Sequence, residues 1–110
     1  MVEVPARGTF IWLNFEPQSG REQMGRRPAL VVSHTAFNRK RGFAFVCPIS
    51  NTRRKNPFYI AIPEGLAVTG VIMCDQLRSL DYRIRNAEFL GECPISLLEE
   101  VLLRIQPIFL

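Results

Sequence analysis

The chain has 110 residues, enough for one domain with a single core region and too few for a second. A domain of this size buries roughly two-thirds of its unfolded surface, so it needs neither disulfides nor metal staples to be stable. With 47% hydrophobic and 22% charged residues it reads as an ordinary globular chain rather than a disordered one. A formal charge of +4 favours a polyanionic partner, nucleic acid or an acidic protein segment, by long-range attraction.

Taken from the N-terminus, MVEVPARGTF lacks the charged and apolar regions of a signal peptide, and no apolar run reaches the ~18 residues a membrane span requires. The expectation is a soluble, cytoplasmic protein without a membrane partner. Residues Thr9 to Glu16 (TFIWLNFE) are aromatic-rich and partly alternating, as in a half-buried strand. Pro17 to Gly25 is a polar, glycine-punctuated loop, longer than a hairpin needs, and such loops tend to carry function. Pro28 to Ser33 (PALVVS) predicts a buried strand, and Thr35 to Arg41 a short helical turn ending at Gly42.

Strand character resumes at Phe43 to Ser50, with Pro48 predicting an edge or a bulge. Asn51 to Asn56 is a basic loop. Phe58 to Ile62 and Gly70 to Asp75 predict strands separated by a Pro-Glu-Gly turn, Gln76 to Leu80 continues extended, and Arg83 to Glu92 adds one more strand. At the C-terminus Ser96-Leu97-Leu98-Glu99 has the form of a capping box, Leu97, Val101 and Ile105 fall on one helical stripe, and Pro107 is expected to end the helix. The elements add up to a mainly β domain, a small antiparallel barrel closed by a C-terminal helix. Fold class alone does not give the function.

The chemistry-bearing residues are few. His34 is the only histidine and has no ligand-spaced neighbours, and Cys47, Cys74 and Cys93 form neither a zinc signature nor a disulfide framework. No metal site and no cofactor is expected, and any catalysis must work without a histidine pair or a Ser-His-Asp triad. The informative stretch is Gly20-Arg21-Glu22-Gln23-Met24-Gly25-Arg26-Arg27-Pro28. Glycines let its backbone approach a ligand, and Pro28 fixes the chain next to Arg27, whose planar fork of donors suits a phosphate. From chemistry alone a solvated basic loop explains these residues equally well.

Gly20, Glu22-Gln23, Gly25 and Arg27-Pro28 resemble the G-x-E-Q-x-G-x-R-P signature of the MazF/PemK toxin family. The resemblance continues through Asn14-Phe15-Glu16-Pro17, Ala-Leu-Val-Val-Ser, Cys-Pro-Ile-Ser and Asp75-Gln76-Leu77-Arg78-Ser79-Leu80-Asp81-Tyr82-Arg83, in the family's order. It implies an SH3-like barrel, a homodimer, and a metal-independent endoribonuclease that cuts single-stranded RNA at short motifs. It also implies a cognate antitoxin whose acidic flexible tail covers the site. Cleavage would use the 2′-hydroxyl, leaving a 2′,3′-cyclic phosphate and a 5′-hydroxyl.

On that resemblance Arg27 takes the place of the catalytic arginine, Ser50 that of a catalytic threonine, and Glu22 either orients Arg27 or moves a proton. Serine at 50 keeps the hydroxyl and loses the methyl that stiffens a threonine rotamer. Thr52 stands where glutamine is frequent, Asn14 where aspartate is, and Tyr82 where tryptophan is common. The substrate-binding set expected around these is Asn14, Phe15, Gln23, Asn51, Thr52, Arg53, Arg54, Lys55, Gln76, Arg83 and Arg85. Within it the basic residues would follow phosphates, and Phe15, like Tyr82 outside it, would offer a stacking platform. The rival readings are a CcdB-like toxin that poisons gyrase by contact, and a decayed RNA-binding module of the same fold. The first needs a tryptophan near the C-terminus, where this chain ends IQPIFL and has only Trp12.

Overall fold

The structure, a computed structural model, describes residues 3–15 and 25–110. Among them are seven strands: β1 (Thr9–Asn14), β2 (Arg26–Val31), β3 (Ala44–Ser50), β4 (Tyr59–Ala61), β5 (Val71–Met73), β6 (Arg78–Leu80) and β7 (Glu88–Glu92). Helix α1 (Thr35–Arg41) joins β2 to β3, a 3-10 turn (Cys74–Gln76) joins β5 to β6, and helix α2 (Ile95–Phe109) follows β7. All pairings are antiparallel, in the order β4-β5-β3-β2-β1-β7, with β6 also on β3. The mainly β fold with a C-terminal helix is as expected, but the sheet is open rather than a closed barrel, since β4 and β7 end it without pairing. Its two ends meet through side-chain packing instead: Ala67, from the β4–β5 connection, lies so close to β7 that a Cβ on Gly91 would sit 2.5 Å from its own.

The incomplete alternation of the central strands has a physical cause, because both of their faces are covered. Phe10, Leu30, Cys47 and Ile49 join one apolar cluster, together with Leu97, Val101 and Ile105 of α2. The intervening Ile11, Leu13, Ala29, Val31, Ala44 and Val46 join a second with Phe15, Leu80 and Tyr82. Burying each large aliphatic or aromatic side chain contributes roughly 1.5–3 kcal/mol, so β1, β2 and β3 carry most of the stability. Helix α1 ends at a left-handed Gly42, as expected, and its Asn38 is a fully buried polar hub. Asn38 Nδ2 donates to the Pro5 carbonyl (2.9 Å), its Oδ1 accepts from Ser33 Oγ, and its carbonyl accepts from the Tyr82 hydroxyl (2.8 Å).

Several expectations change in detail. Pro48 lies on the interior strand β3, not at an edge, and in register with Ala29 of β2. It sits where the other side of β3 changes partner, from β6 along Ala44–Val46 to β5 along Ile49–Ser50, so a residue without an N–H costs little there. Strand β2 starts at Arg26, placing Arg27 and Pro28 inside the strand rather than at its entrance. The strand expected from Arg83 shrinks to Glu88–Glu92, because residues 82–86 form a turn. Asp81 Oδ1 accepts the amides of Arg83 and Ile84, and Asn86 takes the positive φ that closes the turn.

The stripe Leu97, Val101 and Ile105 of α2 is buried as expected, but the capping box does not form. Pro94, with φ fixed near the helical value, begins the helix at Ile95, so Ser96 falls inside the first turn and makes no cap. Nor does Pro107 end the helix, which runs on to Phe109. Its missing N–H removes a single bond in the last turn, where the neighbouring Leu110 amide still reaches the Gln106 carbonyl (3.1 Å). All three cysteines are buried.

Candidate active site

Arg27 and Ser50 come from adjacent strands. Arg27 is paired with Leu13 of β1 and shares a face with Ala29 and Val31. The β2–β3 register runs Val31↔Val46, Leu30↔Cys47, Ala29↔Pro48. The pairing ends there; two residues further along each strand lie Arg27, near the start of β2, and Ser50, at the end of β3 and paired with Val71 of β5. Arg27 is exposed and Ser50 half-buried, so both are open to a ligand.

Ser50 is the last residue of β3, and its Oγ accepts the Thr52 amide at 3.1 Å. That bond fixes the hydroxyl oxygen in place of the missing threonine methyl, and leaves the hydroxyl proton free to donate to a phosphate oxygen. Thr52 Oγ1 accepts the Arg54 amide in turn (3.2 Å), so the basic loop leaves the strand as two successive hydroxyl-to-amide turns. Asn51, Arg53, Arg54 and Lys55 are exposed along it. From the far side the loop is braced by Thr69, whose hydroxyl donates to Asn51 Oδ1 (3.3 Å), and by Gly70. Gly70 has φ +114°, and a Cβ there would lie 2.3 Å from the Ser50 carbonyl oxygen. Sequence reasoning passed over this glycine; its signal is its place directly before β5, the strand that pairs with Ser50.

Other expected site residues fall elsewhere. Asn14 is the last residue of β1, buried, with its Oδ1 accepting from Arg26 Nη1 (3.0 Å). Arg26 also donates to Glu88, 2.8 Å away, and lies over Trp12, so it is a structural clamp across β1, β2 and β7. Phe15 is 7% exposed and Tyr82 1%, so neither offers a free aromatic face. The guanidinium of Arg78 covers Phe15, its Cζ 5.2 Å from the ring centroid.

Arg85 and Arg83 do not alternate along an extended segment; both belong to the 82–86 turn. Arg85 Nη1 donates to the Phe15 and Asn14 carbonyls (2.6 and 3.3 Å), tying the turn to the end of β1. Burial first, and then the charge of Arg78, lower its pKa. Arg83 lines a separate open cleft with Glu3, Arg26, Arg39 and Glu88, away from the Ser50 loop. Gln76 is exposed on the 3-10 turn, its Nε2 donating weakly to the Tyr59 hydroxyl (3.4 Å). Glu22 and Gln23 lie outside the described residues.

His34 precedes α1 with its ring beside Arg7 Nη1 (3.1 Å to Nδ1), and among the described residues no three His, Cys, Asp or Glu side chains gather. In the buried cysteine pair, Cys47 is pushed up well beyond the ordinary thiol range by its hydrogen bond to Cys74 and by burial. Burial likewise pushes Cys93 up to about 11. The same hydrogen bond holds Cys74 below the ordinary thiol value, and all three side chains are buried in the core. Among the described residues no helix is long and apolar enough to cross a membrane.

The whole chain has close counterparts. It is 37% identical over 103 residues to the endoribonuclease PemK of Escherichia coli, covering 89% of this chain and 77% of that protein. It superposes on the crystal structure of MazF from Deinococcus radiodurans with a TM-score of 0.86, 44% identity and 97% of each chain covered. A MazE–MazF complex from the same organism gives a TM-score of 0.85 at 39% identity, over 97% of this chain and 96% of that one. Residues 6–109 match the family of PemK-like, MazF-like toxins of type II toxin–antitoxin systems, and the chain belongs to that family.

Proposed function

We infer that the chain is the toxin of a type II toxin–antitoxin pair and an endoribonuclease that cuts single-stranded RNA at short sequence motifs, without a metal ion. Its relatives are endoribonucleases by name, and the CcdB-like alternative has no support in the family match. What supports the reading is the family match, together with Arg27 on β2 and Ser50 at the end of the neighbouring β3, where a loop of three cations begins.

In-line attack of the substrate's 2′-hydroxyl on the adjacent phosphorus builds negative charge on the phosphoryl oxygens as the 5′-oxygen leaves. Arg27 supplies donors for that charge, and donors oriented on it contribute several kcal/mol. Ser50 donates its hydroxyl proton to a phosphate oxygen while the Thr52 amide holds its Oγ. Glu22 is the carboxylate of the G-x-E-Q-x-G-x-R-P segment, placed in sequence to orient Arg27 or to carry a proton. The products are a 2′,3′-cyclic phosphate and a 5′-hydroxyl. Arg53, Arg54 and Lys55 guide the RNA backbone, and Asn51 and Thr52 contribute to base preference. The same cationic surface attracts the acidic tail of an antitoxin, which inhibits by covering the site. The MazE-bound Deinococcus relatives support an antitoxin partner. The exposed end of α2, Ile108-Phe109-Leu110, suits a homodimer contact, and the substrate places the protein in the cytoplasm.

The test is incubation of the purified protein with a long unstructured RNA in excess EDTA, with mapping of cut positions and end groups. Discrete cuts at one motif, bearing cyclic-phosphate and 5′-hydroxyl ends, are expected. Arg27→Ala should abolish them while losing far less RNA affinity. Abolition by EDTA would sink the metal-free mechanism, and equal losses of rate and affinity would make Arg27 a phosphate anchor.

A further inference from the structure

The aromatic face expected to stack RNA bases at Phe15 is closed, and what closes it has the right chemistry to take over. Arg78 sits on β6 opposite Val46 of β3, on the face that carries Leu80 and the second apolar cluster. Its guanidinium lies over the buried Phe15 ring while the residue itself is exposed. The group therefore meets the Phe15 ring on its inner side while the residue stays open to solvent. On that face Phe15 follows Leu13, the residue paired with Arg27, and the Phe15 amide is bound to the Gly25 carbonyl (2.8 Å) in the same register. Arg78 and Phe15 thus lie on the face that Arg27 shares, Phe15 two residues beyond the partner of Arg27. Arg85, pinned to the Phe15 carbonyl, adds a second positive charge, close enough to Arg78 for their repulsion to be felt. Among the described residues the one ion pair is Arg26–Glu88, so no carboxylate there takes up the charge of Arg78.

A flat cation resting on an aromatic ring and open to solvent can serve as a stacking surface for a nucleobase, because guanidinium planes stack on bases as aromatic rings do. We propose that Arg78, backed by Phe15, is the stacking platform for a base flanking the scissile phosphate. The inference rests on the endoribonuclease reading above. It makes Arg78 a substrate-positioning residue of that site and moves the stacking role from Phe15 and Tyr82 to a side chain on a different strand.

The experiment compares wild type, Arg78→Lys and Arg78→Ala in binding a short RNA blocked by a 2′-deoxy sugar at the cleavage position. Each is measured against the same RNA with a single abasic nucleotide placed in turn at the flanking positions. Melting temperatures confirm that the variants are folded. For wild type, one abasic position should weaken binding by about tenfold or more, the usual cost of a lost stack. In Arg78→Lys, which keeps the charge and loses the plane, that penalty should vanish while binding of the intact RNA falls to the abasic level. Arg78→Ala should lose the same penalty and bind more weakly still. If Arg78→Lys binds intact RNA like wild type and keeps the abasic penalty, Arg78 is a phosphate contact and the proposal fails. Unchanged behaviour of both variants alongside an active wild type would also overturn it. A wild type that neither binds nor cuts RNA would instead refute the endoribonuclease reading itself.

Discussion

Replacing Gly70 by alanine should disable the site without unfolding the protein, and Gly65 provides the internal control. Both glycines have positive φ, +114° at Gly70 and +90° at Gly65. An alanine at either pays the backbone cost of that region, about 1–3 kcal/mol, and should lower the melting temperature by several degrees or more. The difference lies in what the new methyl meets. At Gly65 nothing is within 4 Å; at Gly70 it meets the Ser50 carbonyl oxygen at 2.3 Å, and both the Ser50 carbonyl carbon and Asn51 Oδ1 at 2.9 Å. Ordinary carbon–oxygen contacts begin near 3.3 Å, so the Ser50 peptide or the Gly70 backbone must move by about 1 Å. The nearest obstacle is backbone, and no rotamer change relieves it. A displacement of about 1 Å in a catalytic group can cost on the order of a hundredfold in rate. Cleavage of a single-motif RNA, measured well below both melting temperatures, should therefore show Gly65→Ala near wild type and Gly70→Ala lower in kcat/KM by about that factor. Gly70→Ala cutting as fast as Gly65→Ala would refute the view that Ser50 is held in its working position by the close approach of β5.

Three further outcomes are expected. Ser50→Thr should change the cleavage rate only a few-fold, roughly the value of a stiffer rotamer, because the Thr52 amide already fixes Oγ; a large gain from near zero would show a decayed site. Asn38→Ala strands the Pro5 carbonyl and the Ser33 hydroxyl and should cost about 3 kcal/mol, lowering the melting temperature by roughly 10 °C or more; a loss of only a few degrees would mean water replaces the side chain. For the cysteines, a thiol of pKa about 11 such as Cys93 is roughly 0.1% thiolate at pH 8. Alkylation of Cys93 in the folded protein should therefore be slow and quicken about tenfold per pH unit up to that value. Fast labelling of Cys93 at neutral pH would contradict its burial.

What could be read from the sequence followed the range of the interactions involved. Strands β1 to β5 were legible because β-branched and aromatic residues concentrate there between polar turns, and the Leu97, Val101, Ile105 stripe because helical periodicity is local. The errors arose where two local signals competed. Ser96 and Glu99 match a capping box, but Pro94 begins the helix earlier, and Pro107 is tolerated because the last turn has little left to lose. Arg83 to Ala87 looked extended because its apolar and basic residues alternate, whereas the decisive residue was Asp81, whose carboxylate captures two amides and bends the chain. The site was half legible. Arg27 and Ser50 stood out by resemblance, yet it is the pairing of β2 with β3 that makes their strands neighbours, and the covering of Phe15 by Arg78 joins β1 to β6. Neither leaves a trace in any short window of sequence.

The division of labour within the site follows from β3. The first part of this strand is held between β2 and β6, and its end is transferred to β5, with Pro48 at the changeover. Ser50 thus stands at the last rigid position before the chain becomes a loop, and the residues behind it belong to the fully buried cluster containing Cys47 and Ile49. Arg27 stands correspondingly near the start of β2, next to β1. The two groups proposed to meet the transition state are thus on paired strands, where displacement would break ladder hydrogen bonds and open the core. The residues that would read bases, Asn51 and Thr52, lie beyond the strand end, held only by two hydroxyl-to-amide turns and the Thr69 hydroxyl. Under the proposed function, side-chain changes in the 51–56 loop that keep the Thr52 amide on Ser50 would alter base preference and leave the two proposed catalytic residues in place. Those two depend instead on Gly70 and on the pairing of β2 with β1 and of β3 with β5.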